Sequence, residues 1–94
     1  MVNKITKKVE LIKPIDVEEG EPIKSVELRE PRAGEMRGLS FTNIMQLDVD
    51  TMTVLIPRIS DLTERQMLNL SPVNMTPLFT GVVGFFVHID SPSE

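Results

Sequence analysis

The sequence predicts an α+β fold, an N-terminal β-hairpin followed by a small bundle of about three to five short helices. Three observations carry that expectation. Two early segments, "KVELIKPI" and "KSVELRE", alternate apolar and charged residues, which places the apolar ones on one sheet face. A turn-rich stretch around Gly20 joins them. Beyond Pro31 the apolar residues recur at helical spacing, with Ser, Thr and Asp where helix starts need them. With 94 residues the chain reads as one domain, 1–94. The hairpin is assigned to 8–30 and the helical part to 31–89, with 1–7 and 90–94 as flexible tails.

In the hairpin, Val9 and Leu11 alternate with Lys8 and Glu10, and Val26 and Leu28 with Glu27 and Arg29. A lone two-stranded hairpin is marginal in water. Its apolar face therefore needs a helix, further strands or another subunit over it. The joining loop carries Asp16, Glu18, Glu19 and Glu21. It lacks the ligand spacing of a calcium loop and reads as a solvated loop.

The strand exit, "LREPRAGEMRG", is dense in charge. Pro31 fixes φ, removes an amide donor and biases Glu30 towards extended backbone, so the strand should stop near Glu30. "RAGEMR" can then form a short helical segment, with Met36 and Leu39 packed and Gly38 as its stop. Arg29, Arg32 and Arg37 interleave with Glu30 and Glu35. The glycine spacing and Lys-Ser/Thr end of a phosphate loop are missing. This charged junction thus reads as mutual pairing or as an orienting protein contact.

In "SFTNIMQLD", Ser40 is a candidate cap, with Phe41, Ile44 and Leu47 on one helical side. In "DVDTMTVLIPRIS", Met52, Leu55, Ile56 and Ile59 form an i, i+3, i+4, i+7 face. Asp50 is the expected cap, and Pro57 should kink this helix or end it early. Thr63 and Gln66 form a capping box, with Leu62 and Met67 at the hydrophobic-staple positions. Ser71 and Pro72 mark another start, with Leu70 and Met75 as the staple and Asn74 as a weaker box partner. Thr76 and Pro77 are expected to open a new, final helix.

On a helical wheel of that last segment, Thr80, Gly81, Gly84 and His88 share one narrow side. Apolar residues cover the rest, and charge is almost absent. A surface helix normally keeps a broad polar face. The helix is either central in its own domain or buries one side internally and offers the other to a client or oligomer partner, with Leu78, Phe79, Val82, Val83, Phe85, Phe86 and Ile89 as the interface residues in the second case.

Composition narrows the function further. There is no cysteine and a single histidine, so no disulfide framework or ordinary zinc site is expected. The net charge of −4 and the absence of Trp and Tyr disfavour nucleic-acid binding. The apolar run "LFTGVVGFFVHI" is shorter than the roughly 20 residues of a membrane span. His88 beside Asp90 has no accompanying nucleophile. The expectation is a protein that is not an enzyme, with no catalytic, metal-binding or cofactor-binding residues and no cofactor.

The segments "KVELIKPI", "SVELREPRAGEMRGL", "LDVDTMTVLIPRIS", "LTERQMLNLSP" and "LFTGVVGFF" together resemble the tail assembly chaperones of contractile-tailed bacteriophages. The likeness spans roughly residues 8–87. It implies a non-enzymatic phage or prophage assembly factor that binds the tape measure protein, keeps its long helices from aggregating and assists tail tube assembly. It also implies action in the bacterial host cytoplasm and absence from the mature virion. Partners would be the tape measure protein and either a homo-oligomer or a frameshifted longer form of the same chain. The alternatives are a structural tail or baseplate adaptor retained in the particle, or a small regulatory protein-binding module.

Overall fold

Residues 5–87 are described by a computed structural model. Two antiparallel strands, β1 (Thr6–Ile15) and β2 (Ile23–Arg29), are followed by a 3-10 turn at Ala33–Met36 and four helices: α1 (Phe41–Met45), α2 (Val49–Arg58), α3 (Glu64–Leu68) and α4 (Pro72–Gly84). This is the expected α+β arrangement, a hairpin and then helices.

The strands pair as their alternation requires. Val9 lies opposite Val26 and Lys7 opposite Leu28, in even register from Thr6–Arg29 to Glu10–Ser25. The register then slips before Ile15–Ile23. Val9, Val26 and Leu28 are buried, while Lys8, Glu10 and Glu27 face solvent. The cover that the hairpin needs is α4, which lies mainly along β1. Leu78, Phe79 and Val82 of α4 join the strand residues in the core, with Met52, Leu55 and Ile56 from α2 and Ile59 just beyond its end.

Several local signals act as their chemistry demands. Ser40 Oγ accepts from Asn43 N at 3.3 Å. Thr63 and Gln66 close a reciprocal capping box, at 3.1 Å from Gln66 N to Thr63 Oγ1 and 2.9 Å from Thr63 N to Gln66 Oε1. Pro57 leaves the Thr53 carbonyl without its helical donor, and α2 ends one residue later at Arg58.

Three local expectations are corrected. The cap of α2 is Asp48, not Asp50: Asp48 Oδ2 accepts from Thr51 N at 3.0 Å and Thr51 Oγ1 at 2.8 Å. Leu47 has a φ of 60°, which reverses the chain after α1 and lets α2 begin earlier. Thr76 and Pro77 do not open a new helix; Pro77 lies inside α4, which starts at Pro72. The carbonyl that Pro77 leaves unpaired belongs to exposed Val73, where water can serve it, and Thr80 Oγ1 donates to Thr76 O at 2.7 Å. Ser71 occupies the N-cap position of α4 but makes no side-chain cap bond; Asn74 N goes to Ser71 O instead.

Candidate functional site

Two regions carry the sequence-derived site residues: the end of α4 and the charged junction. The seating of α4 on the hairpin fixes the first. Gly81 is buried against both strands, and a Cβ there would meet Val9 Cγ2 at 3.0 Å and Leu28 Cδ1 at 3.2 Å. The missing side chain lets the helix backbone approach the sheet. Near the start of α4, Asn74 is 1% exposed and reaches β1 where the register slips. Its Oδ1 accepts from Ile12 N and Lys13 N, each at 3.0 Å, and its Nδ2 donates to Lys13 O at 2.7 Å.

At the other end of α4, Lys7 Nζ donates to Gly81 O at 3.0 Å and stands 4.6 Å from the centre of the Phe85 ring. Phe85 and Phe86 leave the helix in a further turn, donating to Val82 O and Val83 O. The Phe86 ring meets Phe41 of α1 edge-on, with centroids 5.6 Å apart and planes at 62°. Phe41 nevertheless stays 59% exposed, and Val87 44%.

The site residues expected from the wheel therefore divide. Leu78, Phe79 and Val82 are buried in the protein's own core. Val83, Phe85 and Phe86 are half-buried against it. Ile89 and His88 lie outside the described residues. Phe41, which the sequence placed only on a helical side, is the most exposed member of the aromatic pair.

The charged junction is tied together within the chain. Arg29 N donates to Ile59 O at 2.8 Å, and its guanidinium donates to Arg58 O and stands 3.8 Å from Glu35 Oε2. Glu35 Oε1 accepts from Arg32 N at 2.9 Å, closing the 3-10 turn. Arg58, which no local motif marked, reaches back to this turn and donates to Glu35 O at 2.6 Å and Arg37 O at 3.1 Å. Glu30 N extends the hairpin ladder to Ile5 O. The Arg32 and Arg37 residues are exposed.

Other concave ground offers little chemistry. An open cleft of about 580 Å³ lies between the acidic loop and α3, lined among others by Asp16, Glu18, Glu19, Thr63 and Arg65. Among the described residues no group of His, Cys, Asp and Glu could hold a metal ion. No described helix is long and apolar enough to cross a membrane.

Comparison with known proteins gives two matches. A family model described as "Phage tail assembly chaperone proteins, E, or 41 or 14" matches residues 8–87. The chain is also similar to "Tail assembly protein E'" of Escherichia phage P2, 35% identical over 67 residues, which is 69% of this chain and 47% of that protein. It thus spans about half the length of this curated relative. No solved structure matches.

Proposed function

The chain belongs to the phage tail assembly chaperone family, and from that premise we propose that it binds the tape measure protein and assists tail tube assembly through the apolar ground at the end of α4. The role is non-catalytic. The observation that supports this reading is the Phe41–Phe86 contact, an aromatic pair with Phe41 59% exposed beside an exposed Val87. Aromatic rings contribute more than other side chains when desolvated at an interface. A client helix laid over them would bury its own apolar stripe in the same step.

In this mechanism Phe41, Phe86 and Val87 meet the client. Val83 and Phe85 border that surface, and buried Leu78, Phe79 and Val82 hold it rigid from beneath. The same ground serves self-association, with an identical copy or a longer form of the chain, when no client is present. Exposed Arg32 and Arg37 orient the neighbour by charge. The protein acts in the host cytoplasm and leaves before the virion matures.

Co-expression with the tape measure protein tests the reading. The parent chain should raise the soluble yield of that protein and co-purify with it. A folded Phe86→Asp variant that rescues the client equally well would remove the apolar-surface mechanism. Recovery of the chain in purified mature particles would contradict its departure before maturation.

A further inference from the structure

We infer that Lys7 is a latch that holds the end of α4, and with it the Phe85–Val87 segment, closed on the hairpin. A helix C-terminus presents unpaired carbonyls and the negative end of its dipole. The last turn of α4 has no basic residue of its own to answer them. The cation comes instead from β1, where Lys7 is held opposite Leu28 by the strand register. Its ammonium donates to Gly81 O at 3.0 Å while lying 4.6 Å from the Phe85 ring centre. One charge thereby ties the last turn and the first residue beyond it to the same strand.

The helix is shaped to admit this ammonium. A Cβ at Gly84 would run into Lys7 Nζ. Gly84 is exposed and its surroundings are otherwise open, so the space left by its missing side chain serves Lys7 rather than close packing of the backbone. Gly81 has a different task, since it clears Val9 and Leu28 and presents its carbonyl to the latch. With Lys7 seated, Phe85 is covered on one ring face. With Lys7 withdrawn, Phe85 and Phe86 keep their turn bonds, their partial packing against the core and the contact with Phe41, but the segment loses the charge that ties it to β1. Lys7 is thus a positioning residue that sets how much apolar surface this segment presents. Its relevance to the client rests on the reading proposed above.

Amide hydrogen exchange on the free protein tests the latch. Lys7→Met keeps the apolar stem and removes the charge. The Phe85 and Phe86 amides should then exchange about tenfold faster, while those of Met52 and Leu55 do not change. Gly84→Ala supplies a sign test. Alanine favours helix, yet its Cβ displaces the ammonium. The variant should therefore speed exchange at Phe85 and Phe86 in the parent and slow it in a Lys7→Ala background. Unchanged exchange in Lys7→Met, or slower exchange on Gly84→Ala in both backgrounds, overturns the latch. Soluble recovery of the tape measure protein, measured on the same variants, separates the two readings. Faster exchange with unaltered recovery keeps the latch and removes the client role of this segment.

Discussion

Asn74 grips Lys13 by both of its main-chain groups, accepting from its N–H at 3.0 Å and donating to its C=O at 2.7 Å. The same amide oxygen also serves Ile12 N. These groups lie where the hairpin register slips, so Asn74 supplies bonds that the ladder cannot. Asn74→Ala should leave several main-chain groups under-bonded beside a small void. The expected loss is about 2–4 kcal/mol, read as a lower urea midpoint. Asn74→Asp keeps the acceptor, loses the donor and places a carboxylate near the Lys13 carbonyl. It should be no better tolerated than alanine. A midpoint within error of the parent for both variants would show that the clasp does not hold α4 in place.

Gly81 makes the opposite kind of prediction, because added bulk is the hazard. Alanine would gain roughly 1 kcal/mol of helix propensity at an exposed site. Here its Cβ meets Val9 Cγ2 at 3.0 Å and Leu28 Cδ1 at 3.2 Å, both from core residues with little room to give. Gly81→Ala should therefore destabilise by about 1–3 kcal/mol. Thermal unfolding should show the fall in Tm, and an unchanged or higher Tm would mean that α4 can lift from the strands without loss.

These two residues also mark the limit of what the sequence discloses. Local chemistry was legible. The period-two alternation set the hairpin face, the Thr63–Gln66 spacing set a helix start, and the Met52–Ile59 stripe set the buried side of α2. Asn74 was legible only as a weak capping partner, because its true partners are 61 and 62 positions away. Arg58 was missed for the same reason, since its carbonyl partners lie 21 and 23 positions upstream. Pro77 misled because proline usually ends or begins a helix, yet an exposed turn can forgo one bond. The end of α4 was only half legible. Its wheel is apolar nearly all round, so spacing alone cannot separate Leu78, Phe79 and Val82, which face inward, from half-exposed Phe86.

Arg58 leads to a prediction about order rather than global stability. Its guanidinium holds Glu35 O and Arg37 O from an exposed position. Water can replace such bonds, so Arg58→Met should change the unfolding free energy by less than about 1 kcal/mol. The 3-10 turn is too short to persist without tertiary support. Amides from Glu35 to Leu39 should exchange faster in the variant, while those in α3 stay as they were. If the turn keeps its protection, the Glu35 contacts with Arg32 N and Arg29, together with Met36 and Leu39 packing, are enough to hold it.

The division within the apolar residues gives the sharpest contrast. Leu78 is fully buried and Phe41 is 59% exposed, although both are large hydrophobic side chains. Leu78→Ala removes core contacts and should cost about 2–5 kcal/mol. Phe41→Ala removes part of an edge contact with Phe86, and should cost about 0.5–1.5 kcal/mol. The order should reverse when the chains are co-expressed with the tape measure protein at a temperature where both variants remain folded. Phe41→Ala should then lose most of the soluble client, because it removes surface that the proposed docking would bury. Leu78→Ala should keep the client, because it alters only what lies beneath. Circular dichroism establishes the folded fraction, and the client recovered per folded chain is the quantity to compare. Equal recovery with Phe41→Ala and the parent would move the docking surface away from the Phe41–Phe86 pair. A loss confined to Leu78→Ala at full folded fraction would mean that α4 must open to bind.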